Sequence, residues 1–98
     1  MAYTYMVRCR DGSLYTGWAA DVEKRIQAHN SGKGAKYTRA RLPVVLVWSY
    51  YSESKIMAQK LESAVKKLTK KQKELLVVNP ELIEDFCADI WEVYHEKQ

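Results

Sequence analysis

The 98-residue chain predicts an α+β domain. Its sheet is expected to be small and three-stranded, antiparallel or mixed, in the order β-β-α-β-α-α, flanked by helices and followed by an extra C-terminal helix. Three observations carry this expectation. Two β-prone runs near the N-terminus are separated by Asp11-Gly12, a third apolar run covers 44–51, and the remaining segments repeat apolar residues at helical spacing. A sheet covered by helices is the economical packing for such an order.

Each element has a local reason. Tyr3 to Cys9 alternates, with Tyr3, Tyr5, Val7 and Cys9 on one face and Thr4, Met6 and Arg8 on the other. Arg10 to Ser13 is a turn, because Asp-Gly is a strong hairpin signal. Leu14 to Trp18 forms the second strand. Asp21 is placed to cap a helix reaching about Asn30, in which Val22, Ile26 and His29 share a face and Arg25 borders it. Residues 31–42 read as a basic loop with two glycines. Val44 to Tyr51, apolar almost throughout, is expected to be a buried central strand. Ser52 or Ser54 can cap the next helix, whose apolar positions are Met57, Leu61, Ala64, Val65 and Leu68. Thr69 and Gln72 have the spacing of a capping box for a short basic helix ending near Leu76. Asn79-Pro80 reads as the N-cap and first-position proline of a last helix with an apolar stripe of Leu82, Ile83, Phe86, Ile90, Val93 and Tyr94.

Composition narrows the function classes. A chain this short supports one modest core. No run approaches the roughly 20 apolar residues of a membrane span, so no membrane partner is expected. Arg8, Arg10 and Asp11 break any signal-peptide core. Two distant cysteines, Cys9 and Cys87, make neither a disulfide framework nor a zinc spacing, which points to the cytoplasm. Residues 1–78 carry 15 of the 16 basic residues and six of the 12 acids, a net of +9, against −5 in residues 79–98. The chain is therefore read as a basic body (1–78), suited to a polyanion, with an acidic amphipathic segment (79–98) packed on it or appended to it.

Two tripeptides then stand out: Tyr3-Thr4-Tyr5 and Tyr15-Thr16-Gly17. A tight hairpin sets Tyr5 near Tyr15, with the cationic helix of Arg25 and His29 beside them. Such a group suits phosphodiester chemistry. It offers phenols that can handle a proton, a guanidinium for the phosphate and a glycine, Gly17, that lets backbone approach. Lys33, Lys36, Arg39 and Arg41, with Tyr37 between them, suit phosphate contact and occasional base stacking. Lys66, Lys67, Lys70, Lys71 and Lys73 form a second cluster, read as solvated or as making only non-specific contacts. Nothing looks built to read base edges, so sequence specificity should be low.

These residues resemble the GIY-YIG nuclease family, in its small stand-alone bacterial-type subgroup. The two tripeptides stand where that family has its name motifs. Asp21-Val22-Glu23-Lys24-Arg25-Ile26 is similar to the helix with the family's catalytic arginine, and His29 matches a frequent histidine one turn on. Gly32-Lys33-Gly34-Ala35-Lys36-Tyr37-Thr38 resembles the subgroup's loop. Glu62 matches the metal-binding glutamate. The resemblance covers roughly residues 3–76. Tyr3 replaces the first motif's glycine, Thr16 replaces the second motif's isoleucine, and the acidic segment has no counterpart.

The resemblance implies a metal-dependent endonuclease acting on DNA, structure-selective on branched or single-stranded substrates, with a role in DNA repair or recombination. Glu62 would hold one divalent ion, Mg²⁺ or Mn²⁺. Tyr5, or Tyr15 through a water, would accept the nucleophile's proton. For that, nearby cations, Arg25 first, have to favour the phenolate over a phenol of pKa about 10. His29 would orient the water or share the base role. Tyr5, Tyr15, Arg25, His29 and Glu62 are thus expected to line one cleft. Other readings stay open at this point. Glu62 could simply pair with Lys66 at i, i+4. The chain could bind nucleic acid with weak or no catalysis, or act as a protein adaptor or self-associate through residues 79–98.

Overall fold

Strand β1 (Ala2–Arg8) lies in the middle of the sheet, between β2 (Leu14–Ala19) and β3 (Val45–Ser52). The computed structural model describes residues 1–90. Both pairings of β1 are antiparallel. The hairpin turn forms as its sequence suggests: the Asp11 carboxylate accepts from the Ser13 amide and hydroxyl at 3.0 and 2.6 Å.

The third strand departs from expectation. It is an edge strand, and Val45, Leu46 and Tyr51 are exposed. The strand buried on both faces is instead β1, where Thr4, Tyr5, Met6 and Val7 are all buried. A register shift between Met6 and Val7 sets Met6 opposite Trp48 but Val7 opposite Leu46. An irregularity of this kind re-aims the side chains beyond it.

Helices cover both faces. On the Tyr5 face, α1 (Val22–Asn30) packs Val22 and Ile26 against a cluster of Tyr5, Val7, Cys9, Ala19 and Val44. Asp21 caps it by accepting from the Lys24 amide at 3.1 Å. Residues expected to be loop contain a short helix, α2 (Lys36–Arg39). The Asn30 side chain exchanges two hydrogen bonds with the Val44 backbone (2.7 and 3.1 Å), tying the end of α1 to the entry of β3. On the Met6 face lie α3 (Lys55–Lys66) and α4 (Lys70–Val78). Of the two candidate caps, Ser54 is the one used, and Thr69 and Gln72 complete their capping box. Met6, Trp48, Leu61, Val65 and Leu76 form the main core here. The Thr4 hydroxyl donates to the Ala58 carbonyl at 2.8 Å and seats α3 on β1.

The C-terminal segment is not one continuous helix. A 3₁₀ turn (Pro80–Leu82) leads into α5 (Ile83–Phe86), and regular helix breaks at Cys87. Asn79 makes no side-chain cap, so its expected capping role is not observed. Ile83 and Cys87 are buried in the main core, with Leu82, Phe86 and Ile90 packed against it. Val93 and Tyr94, expected on the same stripe, lie outside the described residues. Cys9 and Cys87 are both buried free thiols. Among the described residues, no helix is long and apolar enough to cross a membrane.

Candidate active site

The site is built on β1 and β2 where α1 crosses them. Tyr5 and Gly17 are cross-strand partners, and the Tyr5 ring lies over the glycine. A Cβ on Gly17 would sit 2.6 Å from Tyr5 Oη and 2.8 Å from Cζ, so only glycine leaves the phenol in place. From this position the Tyr5 hydroxyl meets His29 Nε2 at 2.8 Å. Both residues are buried, with 1% exposure each. The Tyr15 ring packs edge-on against the same imidazole, centroids 5.5 Å apart.

The other imidazole nitrogen is held too. His29 Nδ1 lies 2.8 Å from the Thr38 hydroxyl, which donates to the Ala35 carbonyl at 2.9 Å. The backbone at Gly34 runs directly over the ring. A Cβ there would collide with Nδ1 and come within 2.8 Å of His29 Cα and Cγ. The loop with α2 is thus the lid of a buried Tyr5–His29–Thr38 chain.

Electrostatics follow from burial. The Tyr5 pKa is pushed up to about 12, first by burial and then by the neighbouring Tyr15 phenol. Arg25 works in the opposite direction and is outweighed. The expectation that nearby cations favour the Tyr5 phenolate is therefore corrected: the resting group is a neutral phenol. Burial, and then Arg25, hold His29 below the ordinary histidine value, so it rests neutral.

Arg25 itself is exposed on α1, close enough to act on both Tyr5 and His29. Glu62 comes from the other layer. Its helix packs on the Met6 face, and the carboxylate acts on Tyr5 through space. Its direct partner is Lys66 Nζ at 3.4 Å, the i, i+4 pair. Among the described residues, no three His, Cys, Asp or Glu side chains converge as a metal cage. One carboxylate still suits Mg²⁺ or Mn²⁺, a hard cation that keeps several of its own waters. The buried Thr16 hydroxyl lies on the Met6 face of β2 without a hydrogen-bond partner.

The basic loop divides. Lys33, Lys36 and Arg39 are exposed. Arg41 is engaged within the fold: Nε pairs with Asp11 at 3.1 Å, Nη1 donates to the Tyr37 carbonyl at 2.8 Å, and the guanidinium lies 3.9 Å from the Tyr37 ring centroid. Tyr37 also stacks on Tyr15, centroids 5.9 Å apart, so much of its ring is already covered. Two lysines of the second cluster adjoin the site. Lys66 and Lys73 line a hollow of about 230 Å³ with Leu14, Tyr15, Thr16 and Tyr37.

The landmark residues that meet here lie within a match to the GIY-YIG catalytic domain model over residues 1–75. The chain belongs to the GIY-YIG family. It is 51% identical over 85 residues to a UPF0213 protein of Clostridium perfringens, covering 87% of this chain and 91% of that one. A UPF0213 protein of Bacillus cereus is 56% identical over 70 residues, 71% of this chain and 73% of its own. Two solution NMR structures are similar. The UPF0213 protein of Bacillus halodurans has 49% identity and a TM-score of 0.52, covering 80% of this chain and 84% of that one. The E. faecalis protein has 44% identity and a TM-score of 0.55, covering 82% and 85%. These names state no activity. Membership implies a nuclease-like domain acting on nucleic acid, in a family whose nucleases use divalent metal ions.

Proposed function

We propose that this GIY-YIG chain is a metal-dependent endonuclease that hydrolyses phosphodiester bonds of DNA, selecting structure rather than sequence, in DNA repair or recombination. The observation that carries the reading is the 2.8 Å hydrogen bond between Tyr5 and a buried, neutral His29, with Arg25 and Glu62 both acting on the phenol.

A phenol with a pKa of about 12 is a poor base by itself. The pair removes that difficulty. Tyr5 Oη accepts a proton from the attacking water while its own proton moves to His29 Nε2. The net base is an imidazole, with the phenol as the contact atom. Tyr15 packs against the imidazole and keeps its plane fixed. Arg25, exposed at the rim, forks onto the phosphoryl oxygens. Glu62 would hold Mg²⁺ or Mn²⁺ once Lys66 yields the carboxylate, and the ion would supply charge neutralisation for the phosphate and the departing alkoxide. Lys33, Lys36 and Arg39 on one side, with Lys66 and Lys73 on the other, would grip flanking phosphates without reading bases.

The test is cleavage by the full-length chain. Labelled branched, single-stranded and duplex DNA are incubated with Mg²⁺, with Mn²⁺ or with EDTA. Cutting is expected with either ion and lost in EDTA. Arg25→Ala and Glu62→Gln should each lower the rate by about 10²–10³. Equal rates in both variants would remove these roles. Binding without cutting under every condition would leave a nucleic-acid-binding module instead.

A further inference from the structure

The Thr38 hydroxyl has a single proton and two neighbours, the Ala35 carbonyl at 2.9 Å and His29 Nδ1 at 2.8 Å. A carbonyl oxygen only accepts, so a hydroxyl that keeps its bond to Ala35, which also receives the Thr38 and Arg39 amides at 3.1 and 3.2 Å, has its one proton there. Oγ1 is then an acceptor toward Nδ1, and Nδ1 must carry hydrogen. In a neutral imidazole the lone pair is left on Nε2, 2.8 Å from the Tyr5 hydroxyl.

We infer that Thr38 is a positioning residue for the Tyr5–His29 pair: by accepting from Nδ1 it selects the tautomer whose Nε2 can receive the Tyr5 proton. In the other tautomer Nε2 carries hydrogen and donates to Tyr5 Oη, and the pair has nowhere to put a proton taken from water. That alternative requires the Thr38 hydroxyl to turn away from Ala35 and donate to Nδ1. Burial makes the choice consequential. Thr38 is fully buried and His29 is 1% exposed, so solvent cannot stand in for a missing hydroxyl. The arrangement also survives the reaction. An imidazolium formed at Nε2 still donates from Nδ1 to Thr38, and no group has to move.

The four-residue helix α2 acquires a purpose in this reading. It brings one hydroxyl over the imidazole, and Gly34 lets the chain lie close enough to do so.

The inference rests on Tyr5 and His29 acting as the proton-accepting pair, but its first readout needs no substrate. Long-range ¹H–¹⁵N NMR correlations on the ¹⁵N-labelled full chain report which imidazole nitrogen is protonated. His29 and His95 are the two histidines, and a His95→Gln variant assigns the signals. Above neutral pH, His29 should show a protonated Nδ1 and a bare Nε2. Thr38→Ser should keep that pattern, and Thr38→Val should move it toward protonated Nε2. In cleavage assays Thr38→Val should lower kcat by about tenfold or more with KM little changed, and Thr38→Ser should restore it. A wild-type His29 protonated on Nε2, or a Thr38→Val protein with unchanged tautomer, overturns the inference. If Thr38→Val does not fold, the wild-type and Thr38→Ser spectra decide alone. A protein that cuts nothing yet shows the Nδ1–H tautomer overturns the nuclease reading and supports this placement.

Discussion

The two faces of the sheet solve different problems. The Met6 face is an ordinary core in which Met6, Leu61, Val65, Leu76 and Ile83 are fully buried and apolar. The opposite face buries a phenol, an imidazole and a hydroxyl in one hydrogen-bonded chain. In this chain of groups each has a partner, which offsets the cost of burying it. Tyr5 and Met6, chain neighbours pointing opposite ways, thus divide the sheet: the larger apolar core lies on one side of β1, and on the other a hydrogen-bonded polar chain sits beside a smaller apolar cluster of Val7, Cys9, Ala19 and Val44.

The largest expected effect tests the apolar side. Leu61→Ala leaves a cavity beneath the sheet and should cost about 2–5 kcal/mol of unfolding free energy. Denaturant titration measures it. Where the variant is still folded, the His29 tautomer should match wild type. A changed tautomer would mean that the two faces are not independent.

Gly17→Ala makes the opposite cut. The added methyl meets Tyr5 Oη and Cζ, and the buried ring cannot swing into solvent. Overpacking of this kind costs about 1–3 kcal/mol. The distinguishing result is chemical: the Tyr5–His29 hydrogen bond should break, and cleavage should fall far more than stability. A variant that cuts like wild type would show that the tyrosine is not held where the reaction needs it.

Much of this division was legible in the sequence. The hairpin, the Asp21 cap and the Thr69–Gln72 box are local, and local chemistry reads directly from neighbouring residues. Strand order and helix spacing set Tyr5 and Tyr15 beside the helix of Arg25 and His29, but the direct Tyr5–His29 hydrogen bond is visible only in the structure. What was not legible depends on contacts distant in the chain. The run 44–51 is as apolar as a central strand, but its composition cannot say how many neighbours it has. Arg41 looked available for phosphate until the fold set Asp11 beside it, thirty residues away. Thr38 carries no visible role in the sequence, because a four-residue helix has too little periodicity to show. The available signal was Gly34, a glycine four residues before a threonine in a loop otherwise dense with cations.

The engagement of Arg41 sharpens a third expectation. Arg25, Lys33, Lys36 and Arg39 remain as exposed cations on the α1 side. If all four meet phosphates of a duplex, log K against log salt should have a slope of roughly −3 to −4. Fluorescence anisotropy on a labelled duplex measures it. Lys66→Ala/Lys73→Ala should flatten the slope further if the hollow beside Tyr15 also takes phosphate. An unchanged slope would confine binding to the α1 side, and a slope near zero in the wild type would remove nucleic acid as the partner.

The smallest effect separates the two faces by pH. Folding holds the His29 pKa below its ordinary 6.5, through burial and then Arg25. The groups packed around it are Tyr5 from β1, Tyr15 from β2, Arg25 from its own helix, and Thr38 from α2. Below pH 6.5 the unfolded chain takes up a proton that the folded chain still refuses. This contribution to stability is therefore complete above pH 6.5 and is lost as pH falls through the lowered value. Tyr5 gives the mirror image. Its pKa is raised from 10.0 to about 12, so its contribution is complete below pH 10 and is lost as pH rises through about 12. Urea titrations from pH 8 down to 5 should show wild type losing stability relative to His29→Asn only below pH 6.5. The rate of cleavage should carry the same signature, because neutral His29 is the acceptor: its acid limb should lie below pH 6.5. A limb at or above 6.5 would mean that the imidazole is not buried in the working enzyme, and the proton would have to leave Tyr5 by another route.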